Sequence, residues 1–220
     1  MTLARAPYRV LPDGCMDLLW CEGELLVAGP DTVAYVASAR VGTRYAGLRF
    51  APGSAPRVLG VPAKELRNRR VPLDALWGDG PARRLAERAA EDPAAALDAW
   101  AARRVLRMAG EETSGDAARR GERRLPAEIA ARLAAGRGVA EVAAAVGLGE
   151  RQLRRRCEDA FGYGPKTLAR VLRLQRALEL ARGGLPFASV AADAGYADQP
   201  HLAREVRALT GLPLSELLTA

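Results

Sequence analysis

Only two of the 33 basic residues in this chain, Lys64 and Lys166, are lysine, and only one residue, His201, is histidine. A His-based metal centre needs several imidazoles, so none is expected, least of all in the first 110 residues, which hold no histidine. The three cysteines, Cys15, Cys21 and Cys157, are irregularly spaced and form no CxxC pair. That suits a reducing, cytoplasmic compartment better than a disulfide scaffold. No run approaches the roughly 18 apolar residues of a membrane span. The N-terminus lacks the basic stretch followed by an apolar one that marks a leader. There is no G-x-S-x-G, no phosphate-binding glycine loop and no Ser/His/Asp set. An enzyme is therefore not expected, nor is a cofactor or a metal.

What the chain does have is arginine. The formal net charge is +7 over 220 residues. Residues 1–115 hold 16 basic and 14 acidic residues, while 116–220 hold 17 and 12. The excess therefore lies in the second half, as a polyanionic partner there requires.

That half contains an internal repeat. Residues 139–165 read VAEVAAAVGLGERQLRRRCEDAFGYGP, and 187–214 read FASVAADAGYADQPHLAREVRALTGLPL. Ala140/Ala188, Val142/Val190, Ala143/Ala191, Ala144/Ala192 and Gly147/Gly195 align at an offset of 48. One extra residue in the second turn moves the offset to 49, and Leu153/Leu202, Arg155/Arg204, Cys157/Val206 and Gly162/Gly211 then align. A short apolar helix, a glycine turn and a basic helix make a helix-turn-helix.

In copy one the spacing predicts a support helix over Val139–Val146 and a groove helix over Glu150–Phe161. Leu153, Cys157 and Phe161 recur every four residues and face the core. Arg151, Gln152, Arg154 and Arg155 are left outside, where arginine can pair with guanine and glutamine with adenine. In copy two Leu202, Val206 and Leu209 form the core side, Gln199, His201 and Arg204 face outward, and Asp198 can cap the helix. A long helix over Pro165–Arg182, closed by Gly183-Gly184, joins the copies.

The first 60 residues have strand character. Met16–Trp20, Glu24–Ala28, Val33–Ala39 and Tyr45–Phe50 are short apolar runs separated by turn signals. Ser54–Gly60 and Pro62–Arg67 read as helical turns. From Pro81 the period becomes helical, with Leu85, Ala86 and Ala89 on one face. A second helix starts at Asp92-Pro93, with a stripe of Leu97, Trp100, Ala101, Val105 and Met108. Gly110–Gly121 is poor in apolar residues and reads as a linker, after which Pro126–Ala135 forms a helix. The expected fold is an α+β N-terminal domain, a small antiparallel sheet plus helices, followed by an all-α domain with two helix-turn-helix motifs joined by a long helix. The expected division is 1–110 regulatory, 111–121 linker and 122–220 DNA-binding.

The stretches GLGERQLRRRCEDAFGYGPKTLARVLRLQRA and GYADQPHLAREVRALTGLP resemble the DNA-binding half of AraC/XylS-type transcriptional regulators over residues 125–218. The chain departs from that pattern twice. Pro213 comes one residue early, and Pro200 stands in the first turn of the second groove helix. PDGCMDLLW, VAGPDT, GLRFAPGSA, LGVPAKEL and VPLDALWG, over residues 8–80, resemble a sensor half found in some members. The resemblance implies a bacterial regulator whose two groove helices enter successive segments of double-stranded DNA. Arg151, Gln152, Arg154 and Arg155 would contact DNA from the first helix, and Gln199, His201 and Arg204 from the second. Lys166, Arg170 and Arg173 would be phosphate-positioning candidates. It further implies a small-molecule effector or partner for the N-terminal half, RNA polymerase as a contact, and a homodimer as one assembly.

Cys15, Asp17, Trp20, Tyr35, Tyr45 and Arg49 are the candidate effector-binding residues; plain core is the simpler account of most of them. Cys15 and Cys21 stand as a redox pair, a thiolate site or inert packing. Asp13 and Asp17 have carboxylate-pair spacing, but Pro12-Asp13-Gly14 is also a turn signature. Two readings compete with an effector-responsive regulator: a thiol-reactive or ligand-processing domain fused to a DNA-binding module, and a constitutive DNA binder without ligand.

Overall fold

The computed structural model describes residues 5–40, 42–110 and 117–219. The N-terminal part builds two antiparallel sheets. Strand β1 (Arg5–Val10) pairs with β4 (Tyr35–Arg40) as a two-stranded ribbon. The other four strands are β2 (Met16–Cys21), β3 (Glu24–Ala28), β5 (Tyr45–Phe50) and β6 (Arg70–Pro72), ordered β5-β2-β3-β6. Alternation along β2 buries Met16, Leu18 and Trp20 on one face. Four of these strands coincide with the apolar runs to within two residues. β1 and β6 were not expected, because RAPYRV and RVP carry too few apolar residues to show a period.

Helices cover the buried face of the larger sheet. They are α1 (Ala55–Leu59), α2 (Ala63–Leu66), α3 (Leu73–Trp77), α4 (Asp79–Ala89) and α5 (Pro93–Gly110). Their apolar sides join Leu18, Trp20 and Val27 in one core that runs on to Leu97. Asp92 caps α5 through Oδ1, which accepts the Ala95 N–H.

The remaining helices are α6 (Ala117–Ala134), α7 (Val139–Ala145), α8 (Glu150–Phe161), α9 (Pro165–Arg182), α10 (Phe187–Asp193), α11 (Gln199–Thr210) and α12 (Leu214–Leu217). α6 corrects the sequence reading at its start. It begins at Ala117, inside the expected linker, and carries Pro126 in its interior. Of the expected linker, residues 111–116 lie outside the described residues. Pro126 packs where the two halves meet: a Cβ on Gly53 would lie 2.7 Å from Pro126 Cβ.

α9 joins two cores. Leu168 and Val171 pack with α6, α7 and α8, while Leu174, Ala177, Leu178 and Ala181 pack with α10 and α11. At about 1.5 Å per residue this 18-residue rod is about 27 Å long. One continuous helix therefore sets the separation of the two motifs. No helix among the described residues is long and apolar enough to cross a membrane.

Candidate nucleic-acid interface

The two helix-turn-helix copies superpose bond for bond at their turns. In copy one Leu148 N–H donates to Ala143 O at 2.9 Å and Gly147 N–H to Ala144 O at 3.1 Å. In copy two Tyr196 N–H donates to Ala191 O at 2.8 Å and Gly195 N–H to Ala192 O at 3.1 Å. Gly147 and Gly195 have φ of +68° and +80°, a left-handed conformation that closes the support helix without a Cβ clash.

The groove helices begin differently. Gly149 N–H donates to Gln152 Oε1 at 3.0 Å, half of a capping box, so Gln152 caps its own helix in the free protein. In α11, Asp198 Oδ1 accepts the His201 N–H at 2.6 Å. Pro200 occupies the first turn, where a missing N–H costs nothing.

Leu153, Cys157 and Phe161 are buried under α8, and Leu202, Val206 and Leu209 under α11. The opposite faces are exposed. On α8 these are Arg151, Gln152, Arg154 and Arg155, and on α11 Gln199, Arg204 and Arg207. Arg154 Nε lies 2.8 Å from Glu158 Oε1 on the same face. Neither Arg155 nor Arg204 makes an ion pair among the described residues, so no internal bridge competes for these equivalent guanidinium groups. His201 is half-buried, edge-on to Tyr196 with ring centroids 5.4 Å apart. Its Nδ1 accepts the Ala197 N–H at 3.2 Å, which leaves Nε2 as the outward atom.

Lys166 is exposed at the start of α9. Arg170 is committed elsewhere: Nε and a terminal nitrogen meet the two oxygens of Glu205 at 2.8 and 3.2 Å. This fork braces α9 against α11. Arg173 sits 5.4 Å over the Tyr196 ring. Cys157 is buried, and burial pushes its thiol up to about 12.

The six N-terminal candidates do not share one pocket. Asp17 pairs in register with Arg49 and Cys21 with Tyr45, so those four point to one face of the sheet. Trp20 points to the other, into the core. Tyr35 lies on the separate ribbon under the Arg70 guanidinium, 4.0 Å from its ring centroid. Asp17 and Arg49 form a two-pronged pair at 2.9 and 3.0 Å, and Arg49 also reaches Asp13 at 2.9 Å. Asp13 Oδ1 accepts the Cys15 N–H, which makes PDG a turn. Burial and the neighbouring Asp13 carboxylate push the Cys15 thiol up to about 11, so it stays protonated. Cys15 precedes β2 and Cys21 ends it. About 20 Å of strand separates them, and a redox pair is excluded.

The chain instead holds a cleft that sequence reasoning missed. It measures about 920 Å³ and lies between the two halves, bounded by Phe50, Val58, Val105, Leu125 and Ile129, with Arg49, Arg57, Arg123 and Arg156 around it. No periodicity could reveal it, because its lining comes from β5, α1, α5, α6 and α8.

Residues 124–220 match the model of a helix-turn-helix domain, and residues 1–72 match that of a domain of unknown function, DUF6597. No curated protein sequence matches the chain. Among solved structures, ToxT from Vibrio cholerae is 8% identical, with 98% of this chain and 96% of that one covered at a TM-score of 0.51. That likeness extends the fold order over both halves. A probable AraC family transcriptional regulator from Rhodopseudomonas palustris is 24% identical over 43% of this chain and 94% of its own, at a TM-score of 0.37. A DNA-binding transcriptional dual regulator from Escherichia coli is 21% identical over 45% and 89%, at a TM-score of 0.38.

Proposed function

We propose that this chain, whose C-terminal half is an AraC-type helix-turn-helix domain, is an effector-responsive transcriptional regulator that reads two successive DNA segments with one polypeptide. The observation that carries this reading is the repeated turn geometry, which presents Arg155 and Arg204 at equivalent, unpaired positions on two exposed groove helices. Arg151, Gln152, Arg154 and Arg155 are the contacts of α8, and Gln199, His201 and Arg204 those of α11. Lys166 is a phosphate contact. Arg170 is withdrawn from that set by its fork to Glu205. Residues 122–220 act as the DNA-binding part and 1–110 as the regulatory part, with 111–121 between them.

The effector site favoured here is the cleft between the halves, which takes in Arg49 but not the other five N-terminal candidates. Its volume suits a small molecule, and its walls come from both parts, so a bound molecule can favour one arrangement of them over another. The protonated Cys15 argues against a thiol-reactive domain. A single groove-helix contact set on each motif favours one chain bound to two half-segments.

Selection of bound duplexes from a random pool tests the reading. Two conserved segments spaced by about one helical turn, 10–10.5 base pairs, are expected. Winners with no shared sequence would sink sequence-specific recognition.

A further inference from the structure

The outer side of α4 and α5 carries a groove that neither the DNA-binding face nor the interdomain cleft uses. It measures about 610 Å³. Leu59, Leu85, Pro81, Trp77 and Trp100 form its floor, and Arg84, Arg88, Arg103, Arg104 and Arg107 line it. No acidic residue does.

Four arginines on the helices, one of them on the other side of α4, pair with glutamate four residues away: Arg83 with Glu87, Arg132 with Glu128, Arg137 with Glu141, and Arg154 with Glu158. Such i,i+4 pairs stabilise a helix, and like charges at that spacing destabilise it. Here Arg84 and Arg88 stand at i,i+4 on α4, and Arg103 and Arg107 at i,i+4 on α5. None of these four makes an ion pair among the described residues, and all four are exposed. Two rows of unneutralised guanidinium groups thus flank one groove. Arg104 is anchored, its Nε donating to Val58 O at 3.2 Å.

The floor is as specific as the rim. Trp77 and Trp100 lie with ring centroids 5.2 Å apart at 34°, and Trp77 Nε1 donates to Leu59 O at 2.9 Å. Both indoles are only half-buried, which leaves apolar ring surface facing the groove. Flat aromatic surface between guanidinium groups stacks a planar base, and planar guanidinium forks bind phosphate oxygens in pairs. A lone inorganic anion would leave the indoles unused, and an apolar molecule would leave four cations unpaired.

We propose that this groove is a nucleotide-binding site, with the base of a nucleoside polyphosphate on the Trp77/Trp100 floor and its phosphates on the arginine rows of α4 and α5. The site lies in the regulatory half, apart from the groove helices, so it does not depend on DNA recognition being correct.

Calorimetric titration of the full chain with ATP, GTP, guanosine and inorganic triphosphate tests this. One nucleotide is expected to saturate a single site and to bind about tenfold or more tighter than inorganic triphosphate, because the base stacks. Guanosine alone is expected not to bind. The exposed double variant Arg84→Gln/Arg103→Gln should weaken nucleotide binding about tenfold or more without lowering the thermal unfolding midpoint. Trp100→Leu should erase the preference for nucleotide over triphosphate. Absence of saturable nucleotide binding overturns the proposal. So does equal affinity for triphosphate, which marks a plain anion patch, or unchanged affinity in the double variant. Displacement of nucleotide by polyglutamate at equal charge concentration would assign the groove to an acidic protein segment and overturn it as well.

Discussion

The Ala34 N–H donates to the carbonyl of Leu209 across 2.7 Å, a main-chain hydrogen bond that joins the β-ribbon to the C-terminal turn of the second groove helix. Arg9 reinforces it by donating to Thr210 O at 3.2 Å. At the other groove helix, Lys64 meets Asp159 at 2.7 Å, and Gly162 packs against Pro30. Between them Gln175 Nε2 on α9 donates to Pro12 O at 2.7 Å. The N-terminal half thus holds the C-terminal ends of both groove helices and leaves their N-terminal ends free.

The equivalence of Arg155 and Arg204 predicts equal kinds of loss. Arg155→Ala and Arg204→Ala should each cost about 1–3 kcal/mol of specific binding and relax preference at one position of the selected site. A gel-shift titration reads both. Unchanged affinity would remove that residue from the contact set.

Binding should weaken steeply with salt, since each neutralised phosphate releases counterions. Lys166→Ala should lower the slope of log affinity against log salt by about 1 while leaving sequence preference intact. A flat salt response would contradict a phosphate-dominated interface.

Stability should fall in alkali through a half-buried thiol, Cys15, and a buried one, Cys157. Burial first, and nearby carboxylates second, raise Cys15 to about 11 and Cys157 to about 12, from 9.0. The folded state then binds more protons than the unfolded one above pH 9. The stability they contribute is complete below about pH 9 and is lost as pH rises through 11 and then 12. Urea midpoints between pH 8 and 11 should decline, and Cys157→Ala should flatten part of the decline. A decline of equal size in that variant would clear Cys157.

Gly162 has φ of +81°, and a Cβ there would stand 2.5 Å from Pro30 Cγ. Gly162→Ala should cost about 2 kcal/mol or more and lower Tm by about 4–8 °C. Gly23→Ala is the control: its φ is +93°, but nothing lies within 4 Å, so it bears the backbone cost alone. Equal losses in the two variants would show that the seam at Pro30 yields freely.

The helical half was legible because its signals are local. Leu153, Cys157 and Phe161 repeat at helical spacing, Gly147 and Gly195 punctuate, and one copy checks the other. The sheet was half legible. Strong apolar runs marked β2, β3 and β5, whereas β1 and β6 exist only because they hydrogen-bond to partners far along the chain. The relative placement of the effector candidates was illegible for the same reason. Trp20 and Cys21 are neighbours in sequence, yet strand alternation sends them to opposite faces, and only the register with β5 tells which face Tyr45 and Arg49 share.

Periodicity and the 48-residue repeat alone determined that this chain folds two helix-turn-helix motifs on a common rod with arginines outward, because helix, turn and cap are set by residues within a few positions of each other. Tertiary structure decided the rest. It set which arginines are spent on Glu122 and Glu205. It also decided that the N-terminal half grips both groove helices, and that the interdomain cleft lies where elements distant in sequence pack side by side. A contact between residues 175 positions apart, such as Ala34 and Leu209, leaves no periodic trace, since its energy depends on packing that exists only once both halves have folded.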